Sequence, residues 1–246
     1  RILVCLLIFV LVSKAQTEPP VNTDTTISRP TLQTLRATTP IVIDGKLTEQ
    51  EWQGPGMSNF TMRDPVEGAT PTEKTEVWTA YDDAAFYVAA RLYDHAPDSI
   101  IARMGRRDSW LNSDWFYVGL DSYHDRRTGY YFTVLASGTM IDGTLYNDSW
   151  DDNSWDGVWD AATTIDDKGW TVEMRIPYSQ IRFPKQDQYT WGINFVRQIE
   201  RSQERFDFVF EAEAATFAHR PALVARLLTV GQLSAHDEEG GFTRTA

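Results

Sequence analysis

Apolar and polar residues alternate with a period of two through much of the chain between residues 40 and 230. The alternation is strictest in the segments 85–93, 114–122, 169–176 and 189–200. It places on one face of each segment, in that order, Phe86, Val88, Ala90 and Leu92; Phe116, Val118 and Leu120; Trp170, Val172, Met174 and Ile176; and Trp191, Ile193 and Phe195. Because successive side chains of a strand point to opposite faces, each segment is predicted to be a β-strand with one side in a core.

Further strands are expected from weaker patterns, and turn signals such as Ser137-Gly138 separate them. They lie at 40–44, 74–81, 130–136, 139–146, 157–165, 205–210 and 223–230. Helix is limited to single turns predicted at Leu47–Trp52 and Tyr178–Arg182. About ten strands at hairpin spacing indicate an all-β chain, an antiparallel sandwich or barrel.

The two ends of the chain have a different composition from its middle. An apolar run at Ile2–Val12 is shorter than the roughly 20 residues that span a bilayer, and a small-x-small cleavage pattern, Ser13-Lys14-Ala15, follows it. Residues 1–15 are therefore predicted to be a signal peptide, with a membrane anchor as the alternative, and the protein to be exported to the periplasm, outer membrane or extracellular space. Residues 16–39, rich in Thr and Pro, are expected to be a flexible linker. Residues 233–246 are expected to be a tail of a truncated longer chain.

Composition excludes several classes of function. Of the 246 residues, 23 are basic and 35 acidic, and the resulting charge of −12 argues against a nucleic-acid partner. The single cysteine, Cys5, lies in the predicted signal peptide, so no disulfide or thiol chemistry is expected. The sequence has no GxSxG, HExxH, P-loop or GxGxxG motif. Glu173 lies on the polar side of a predicted strand and is expected to be solvated or paired there. Catalysis by this chain alone is not expected, and any activity is expected to be hydrolysis of O-glycosyl bonds.

An acidic stretch rich in tryptophan, residues 142–160, suggests two kinds of binding. It has six aspartates, three tryptophans and no basic residue. Calcium prefers carboxylate, amide and carbonyl oxygens, and exposed indole rings stack on sugar rings. The candidate metal ligands in this stretch are Asp148, Asp151 and Asp152, and the candidate ligand-binding rings are Trp150 and Trp155. The alternative is that Trp155 and Trp159 point into the core, with the aspartates in a solvated turn.

A second cluster, residues 105–115, combines Arg106, Arg107 and Asp108 with Trp110. Trp110 precedes a predicted strand that Asp114 opens, so the ring is expected on a loop. It is interpreted either as a platform for a ligand or as a ring folded over a sheet edge.

In their order along the chain, several motifs resemble those of family 9 carbohydrate-binding modules. They are Pro40-Ile41-Val42-Ile43-Asp44-Gly45 with Glu51-Trp52, Thr75–Asp83 running into Ala85–Asp94, Asp114–Asp121, Thr128-Gly129-Tyr130 and Gly169–Pro177. The resemblance covers residues 40–232. The closest variant, marked by Trp155-Asp156-Gly157-Val158-Trp159, resembles the N-terminal domain of secreted bacterial proteins in which an outer-membrane β-barrel usually follows.

This resemblance implies a fold, a cofactor and a ligand. The fold is a β-sandwich of jelly-roll type, the cofactor is structural calcium, and the ligand is the end of a glucan or xylan chain held between two tryptophans. Trp110 matches the first of these tryptophans, and a sugar-binding glutamate of the family falls at Tyr117. Asp94 and Asp114 lie where the family places acidic residues near its cation and ligand sites.

The binding strand of the family departs from this sequence. The family has an arginine and an asparagine where this chain has Thr133 and Leu135, and a second tryptophan is missing from 213–222, where Phe217 and His219 are the only substitutes. Two functions follow. The first is a secreted carbohydrate-binding module that assists a glycoside hydrolase in carbohydrate catabolism. The second is a structural or docking domain that has lost sugar binding and accompanies an outer-membrane β-barrel, C-terminal or separate.

Overall fold

The computed structural model describes residues 31–125, 127–146, 150–184, 188–208, 224–228 and 232–236. The predicted signal peptide therefore lies outside the described residues, as do most of the predicted tail, Phe217 and His219. Within the described ranges, no helix has the length and apolar character needed to cross a membrane.

Short strands make up almost all the regular structure in the described residues, and three single turns of 3-10 helix accompany them. The 3-10 turns are Gln50–Trp52, Pro97–Ser99 and Tyr178–Gln180. The strands are β1 (Thr31–Arg36), β2 (Thr61–Asp64), β3 (Thr75–Tyr81), β4 (Ala85–Tyr93), β5 (Trp115–Asp121), β6 (Thr128–Leu135), β7 (Met140–Tyr146), β8 (Trp150–Asp152), β9 (Asp160–Asp166), β10 (Gly169–Pro177), β11 (Gln188–Ile199), β12 (Glu204–Phe208), β13 (Val224–Leu228) and β14 (Gln232–His236).

The strands form two layers that are continuous along one edge. The front layer has the order β8-β7-β6-β5-β11, with β12 and β2 beyond one end of β11. The back layer has the order β3-β4-β10-β9, and β14, β13 and β1 connect it to β11. Every strand pair is antiparallel except β1 with β3. The molecule is an antiparallel β-sandwich of jelly-roll type, as predicted.

The core between the layers consists of the residues that the alternation pointed inward. All fourteen residues named for the four strictest segments are at most 3% exposed. Burying one large apolar side chain stabilises a fold by about 1.5–3 kcal/mol. Since these strands supply both layers, the period-two pattern accounts for most of the core.

Several local predictions were wrong. Residues 40–44 form no strand, and β2, β8 and β14 were not predicted. Residues 31–36, within the segment expected to be a linker, form β1, which pairs with β13 and β3. Part of the expected tail, Gln232–His236, is β14.

Glu173 anchors the segment that follows residues 40–43. Its side chain is fully buried on the side of β10 that faces away from the core, where a solvated or paired residue was expected. Glu173 Oε2 accepts the backbone N–H groups of Asp44 (3.1 Å) and Gly45 (2.8 Å), and Oε1 accepts Trp52 Nε1–H (2.9 Å). The carboxylate thus holds the segment 44–52 against the back layer.

Arg197 joins the two layers at one end of the sandwich. It lies on the inward side of β11 and is fully buried. Its Nη1 donates to the carbonyl oxygen of Lys74 and to Thr75 Oγ1, both at 3.0 Å, and its Nη2 donates to the carbonyl oxygen of Tyr93 at 2.7 Å. Burial lowers the pKa of Arg197 to about 10, while the charges of nearby acids raise it. A cation of the front layer therefore satisfies backbone acceptors of the back layer.

We expect Arg197→Met to lower the free energy of unfolding by about 3 kcal/mol, because Thr75 Oγ1 and the carbonyl oxygens of Lys74 and Tyr93 lose the hydrogen bonds of the guanidinium and nearby carboxylates lose a counter-charge. The carbonyl oxygen of Lys74 keeps the N–H of Tyr93 as a donor. Urea unfolding measures the loss. The matched control is Arg175→Met, since Arg175 is partly exposed and pairs with Asp160 at 3.4 Å. The control is expected to cost less than about 1 kcal/mol. Equal losses in the two variants would contradict this role for Arg197.

Glu173 gives the stability a defined pH dependence. Burial, together with the charge of Glu49, outweighs its N–H donors and raises the pKa of Glu173 from 4.5 to about 7. Because the folded-state pKa is the higher one, folding takes up a proton between these values. The contribution of Glu173 to stability is present below pH 4.5 and is lost as the pH rises to about 7.

We therefore expect the stability difference between the wild type and Glu173→Gln to change over this pH interval, in favour of the wild type at the acid end. Urea unfolding of both proteins at the two ends of the interval measures it. A difference that does not vary with pH would show that Glu173 does not titrate there.

Candidate ligand-binding face

The outward face of the front layer carries two rows of side chains that strand register brings side by side. Trp115 and Tyr117 alternate with the inward Phe116, so both belong to this face. Across the strands, the first row is Leu135, Trp115, Gln198 and Arg205, and the second is Ile141, Thr133, Tyr117, Val196 and Asp207. Strands far apart in sequence thus form one continuous surface.

Aromatic rings and guanidinium groups meet at one end of this face. Trp110, on the loop before β5, is 47% exposed, and its ring stands edge-on to Trp115 with centroids 6.0 Å apart. The guanidinium of Arg205 lies 5.6 Å from the ring centroid of Trp115. Asp207 Oδ1 accepts Arg205 Nε at 3.3 Å, and its Oδ2 accepts Arg63 Nη1 at 3.3 Å. We name Trp110, Trp115, Arg205, Asp207 and Arg63 the aromatic–arginine platform.

The platform combines groups that recognise a polar ligand with an apolar side. An indole face offers apolar area and attracts polarised C–H and cationic groups. The guanidinium groups of Arg205 and Arg63 offer hydrogen-bond donors in fixed forks. Asp207 pairs with both arginines and offsets one of their two positive charges. An apolar indole face beside guanidinium donors can bind a polyhydroxylated ring.

The loop that carries Trp110 is held by a buried carboxylate. Asp142 is fully buried on β7, and its Oδ2 accepts both Trp159 Nε1–H at 2.7 Å and Arg107 Nη2. Asp142 Oδ1 accepts the N–H of Gly157 at 3.0 Å, and Arg107 also donates to the carbonyl oxygen of Gly157. The backbone N–H of Asp108 donates to the carbonyl oxygen of Met140 at 3.0 Å. Residues 105–108 and 157–159, both noted in the sequence, are therefore parts of one structural clamp.

Tyr117 lies flat on the sheet beside the platform. Its ring stacks on that of Tyr131, with centroids 5.8 Å apart and planes at 15°. A Cβ at Gly119 would come within 3.1 Å of the Tyr117 ring, and one at Gly143 within 2.6 Å of the Tyr131 ring. Burial raises the pKa of Tyr117 well above its usual value and that of Tyr131 to about 12. Both phenols are therefore neutral hydrogen-bonding groups at physiological pH.

The neighbouring part of the face is closed. Thr133, Leu135 and Ile141 are fully buried, although they point away from the main core, and Tyr131 is 2% exposed. Tyr131, Leu135 and Ile141 form a separate, smaller apolar cluster, against which Leu111, Trp115, Tyr117 and Leu145 pack. Among the described residues, Tyr131 Oη and Thr133 Oγ1 have no hydrogen-bond partner. The accessible part of the face is thus its aromatic–arginine end.

The structure brings two of the five predicted ligand-binding residues, Trp110 and Tyr117, to this face. Trp150 is 64% exposed, but it does not belong to this face. It pairs with Tyr146, which pairs with Thr128, and these positions are in register with the inward residues of β6. Trp155 packs against Tyr130 and Phe132. Asp114 is fully buried: its Oδ1 accepts the N–H of Glu200 at 3.1 Å, and its Oδ2 has no partner in the described part of the chain. Burial raises the pKa of Asp114.

Among the described residues, the predicted calcium ligand Asp94 is not grouped with Asp151 and Asp152. Asp94 is buried, and both of its carboxylate oxygens bind Arg201, while Oδ1 also accepts the N–H of Ala96 at 2.7 Å. Asp94 therefore does not fit a calcium ligand. Asp151 and Asp152 are exposed on β8, and Asp152 Oδ1 accepts the N–H of Ser154 at 2.8 Å. Asp148 lies outside the described residues, so calcium at Asp148, Asp151 and Asp152 stays a prediction.

Sequence reasoning missed most of the platform. Arg63, Arg205 and Asp207 are separated by more than a hundred positions from one end to the other, and no motif links them. Alternation does point Trp115 away from the core, and this was the one available signal. The remaining contacts depend on the pairing of β12 with β11 and β2, which local sequence does not specify.

A match to a known family covers most of the sandwich. Residues 43–209 match the family described as carbohydrate family 9 binding domain-like, and because the match spans more than half of the chain, the chain belongs to this family. No curated protein matches the chain in sequence.

Three solved structures are similar to the chain, each with a TM-score of 0.48. Two are of a family 9 carbohydrate-binding module from Caldicellulosiruptor kristjanssonii, one in complex with cellotriose and one with glucose, each 18% identical to this chain. They cover 70% of this chain, which covers 81% and 84% of them, respectively. A structure from Bacteroides uniformis is 12% identical and covers 69% of this chain, with 85% of its own length matched.

Proposed function

We propose that this chain is an exported, non-catalytic carbohydrate-binding domain that holds an enzyme or cell surface close to a polysaccharide. Membership of the carbohydrate family 9 binding domain-like family supports the ligand class. The observation that carries the proposal is the aromatic–arginine platform, where the exposed ring of Trp110 stands beside Trp115 and Arg205. Export is supported by the apolar run Ile2–Val12 and the small residues that follow it.

The ligand would lie against Trp110 with its hydroxyl groups toward the charged strands. Stacking brings the apolar face of a sugar ring against an indole ring, and Trp110 offers an exposed indole ring for this contact. Arg205 and Arg63 would donate hydrogen bonds to these hydroxyl groups. Asp207, buried between the two arginines, accepts one hydrogen bond from each and holds them in place. Thr133 and Leu135 are buried and take no part, so the contacts would come from β12 and β2 instead of the strand that the family uses.

A second function, docking on a partner such as an outer-membrane β-barrel, is favoured by the same burial. The positions Thr133 and Leu135 offer a sugar no exposed donor or acceptor. Co-expression of the chain with a barrel fragment and isolation of the complex would test this function. The absence of any complex would count against it.

The first test of the leading proposal is calorimetric titration with glucose, cellobiose, xylobiose and a mixed set of oligosaccharides. We expect binding of at least one of them, and Trp110→Ala is expected to weaken it about tenfold, equivalent to about 1.4 kcal/mol. Because the ring is exposed and adds little to the core, the melting temperature is expected to change by less than about 2 °C.

Trp150→Ala is the matched control, because Trp150 is at least as exposed but lies on the register of the other side of the sheet. Its affinity is expected to equal that of the wild type. Equal weakening in both variants would argue against a ligand on the platform, and no heat with any sugar at millimolar concentration would reject the proposal.

A further inference from the structure

An acidic cluster at one end of the sandwich has the geometry of a metal site. Glu73, Asp94 and His95 each offer one atom, and these three atoms lie within 4.8 Å of one another. Glu73 and Asp94 are buried, whereas 78% of the His95 side chain is exposed. His95 Nδ1 contacts Glu73 Oε1, and the backbone N–H of His95 donates to Glu73 Oε2 at 3.2 Å. Two buried carboxylates this close together need a cation.

The cation that the structure provides is a side chain. Arg201, on the turn between β11 and β12, donates from Nη1 to Asp94 Oδ2 and from Nη2 to Asp94 Oδ1 at 2.9 Å, a two-pronged pair. The same Nη2 lies 3.3 Å from Glu73 Oε1. This pairing holds the pKa of Asp94 below its usual value, against the effect of burial, and raises the pKa of Arg201. A planar guanidinium that meets both carboxylates satisfies the lone pairs a metal would need.

We propose that the guanidinium of Arg201 is the permanent cation of the Glu73–Asp94–His95 cluster and takes the place of a divalent metal there. Two consequences follow. The wild-type chain gains no stability from a metal ion at this position. Removal of the guanidinium leaves a vacant three-ligand site that a divalent ion can enter from the exposed side of His95.

The donor set of the vacated cluster favours zinc over calcium. Zinc binds imidazole nitrogen as well as carboxylate oxygen, and open zinc sites use three protein ligands. Calcium requires six to eight oxygens, and the cluster has only two carboxylates and a nitrogen ligand. Arg197 lies near enough for its charge to act on Asp94, and it remains in the variant. The positive charge of Arg197 is expected to lower the affinity of the cluster for a divalent ion, but its guanidinium does not occupy the position that Arg201 leaves.

The test is thermal unfolding of the full chain and of Arg201→Ser, each in chelator, in calcium and in zinc. We expect Asp94→Asn to leave any effect of calcium, zinc or chelator on the wild-type melting temperature unchanged, because none of that effect comes from this cluster. Arg201→Ser is expected to melt about 10 °C lower in chelator, because breaking a buried ion pair leaves uncompensated charge. Zinc is expected to restore about half of this loss in a saturable manner, and calcium much less.

Two further variants exclude simpler explanations. Arg107→Ser removes the guanidinium from another fully buried carboxylate, Asp142, which is outside the Glu73–Asp94–His95 cluster. It is expected to lose stability with no recovery in zinc. Arg201→Lys keeps a cation in the cluster, so it is expected to lose less stability than Arg201→Ser and to show no response to zinc.

Either of two results would overturn the proposal. One is a lower wild-type melting temperature in chelator that Asp94→Asn abolishes, since the wild type would then hold a metal at the cluster. The other is a folded Arg201→Ser that no divalent ion stabilises. If Arg201→Ser does not fold under any condition, the wild-type comparison and Arg201→Lys decide, and a zinc response in Arg201→Lys would reject the proposal.

Discussion

A buried guanidinium without a directly paired carboxylate holds the two layers together at one end of the sandwich. Among the described residues, Arg197 donates only to carbonyl oxygens and a hydroxyl group of the opposite layer. Removing such a cation from water costs several kcal/mol unless acids lie close. Asp114, Asp94 and Glu73 provide that compensation at longer range. These three acids exceed one cation, and Arg201 provides a second. The charged residues at this end are therefore mutually dependent.

The strands that sequence predicts well are those with large apolar side chains at alternate, inward positions. In β4, β5, β10 and β11 the inward residues are large and apolar, so the period of two is visible without knowledge of the partner strand. β1 and β2 lack this signal, because they are short and contain several polar residues. They are strands because their backbones pair with β13 and β12, respectively. Local pattern predicts a strand only where its own side chains provide the burial.

The sequence allowed single aromatic residues of the candidate site to be predicted, but not the set of residues that surrounds them. Trp110 was identified because a large ring on a loop is unusual, and Tyr117 by its position in a resembling motif. Trp155 has the same residue type, but it packs on Phe132 and Tyr130 because the clamp around Asp142 turns the chain inward there. Glu173 was expected to be solvated or paired, and the aspartates of 142–160 either to bind a cation or to lie in a solvated turn. Glu173 and Asp142 are instead fully buried acceptors of backbone and indole N–H groups. Which acids are buried depends on loops that return from distant positions.

The rigid support of Trp110 bears on how tightly an exposed ring can bind. The N–H of Gly105 donates to Thr139 Oγ1 at 3.0 Å, and Ser137 Oγ donates to the carbonyl oxygen of Arg103 at 2.8 Å, in addition to the clamp around Asp142. These bonds hold the loop that carries Trp110 against the turn before β7 and against β7 itself, whether or not a ligand is bound. Ordering a mobile side chain on binding costs about 0.5–1.5 kcal/mol. With the backbone already held, only the two side-chain torsions of Trp110 remain to be fixed, and its edge contact with Trp115 restricts those. Under the proposed function, the buried carboxylate of Asp142 would thus contribute to affinity without touching the ligand, by keeping the ring where a sugar can stack on it.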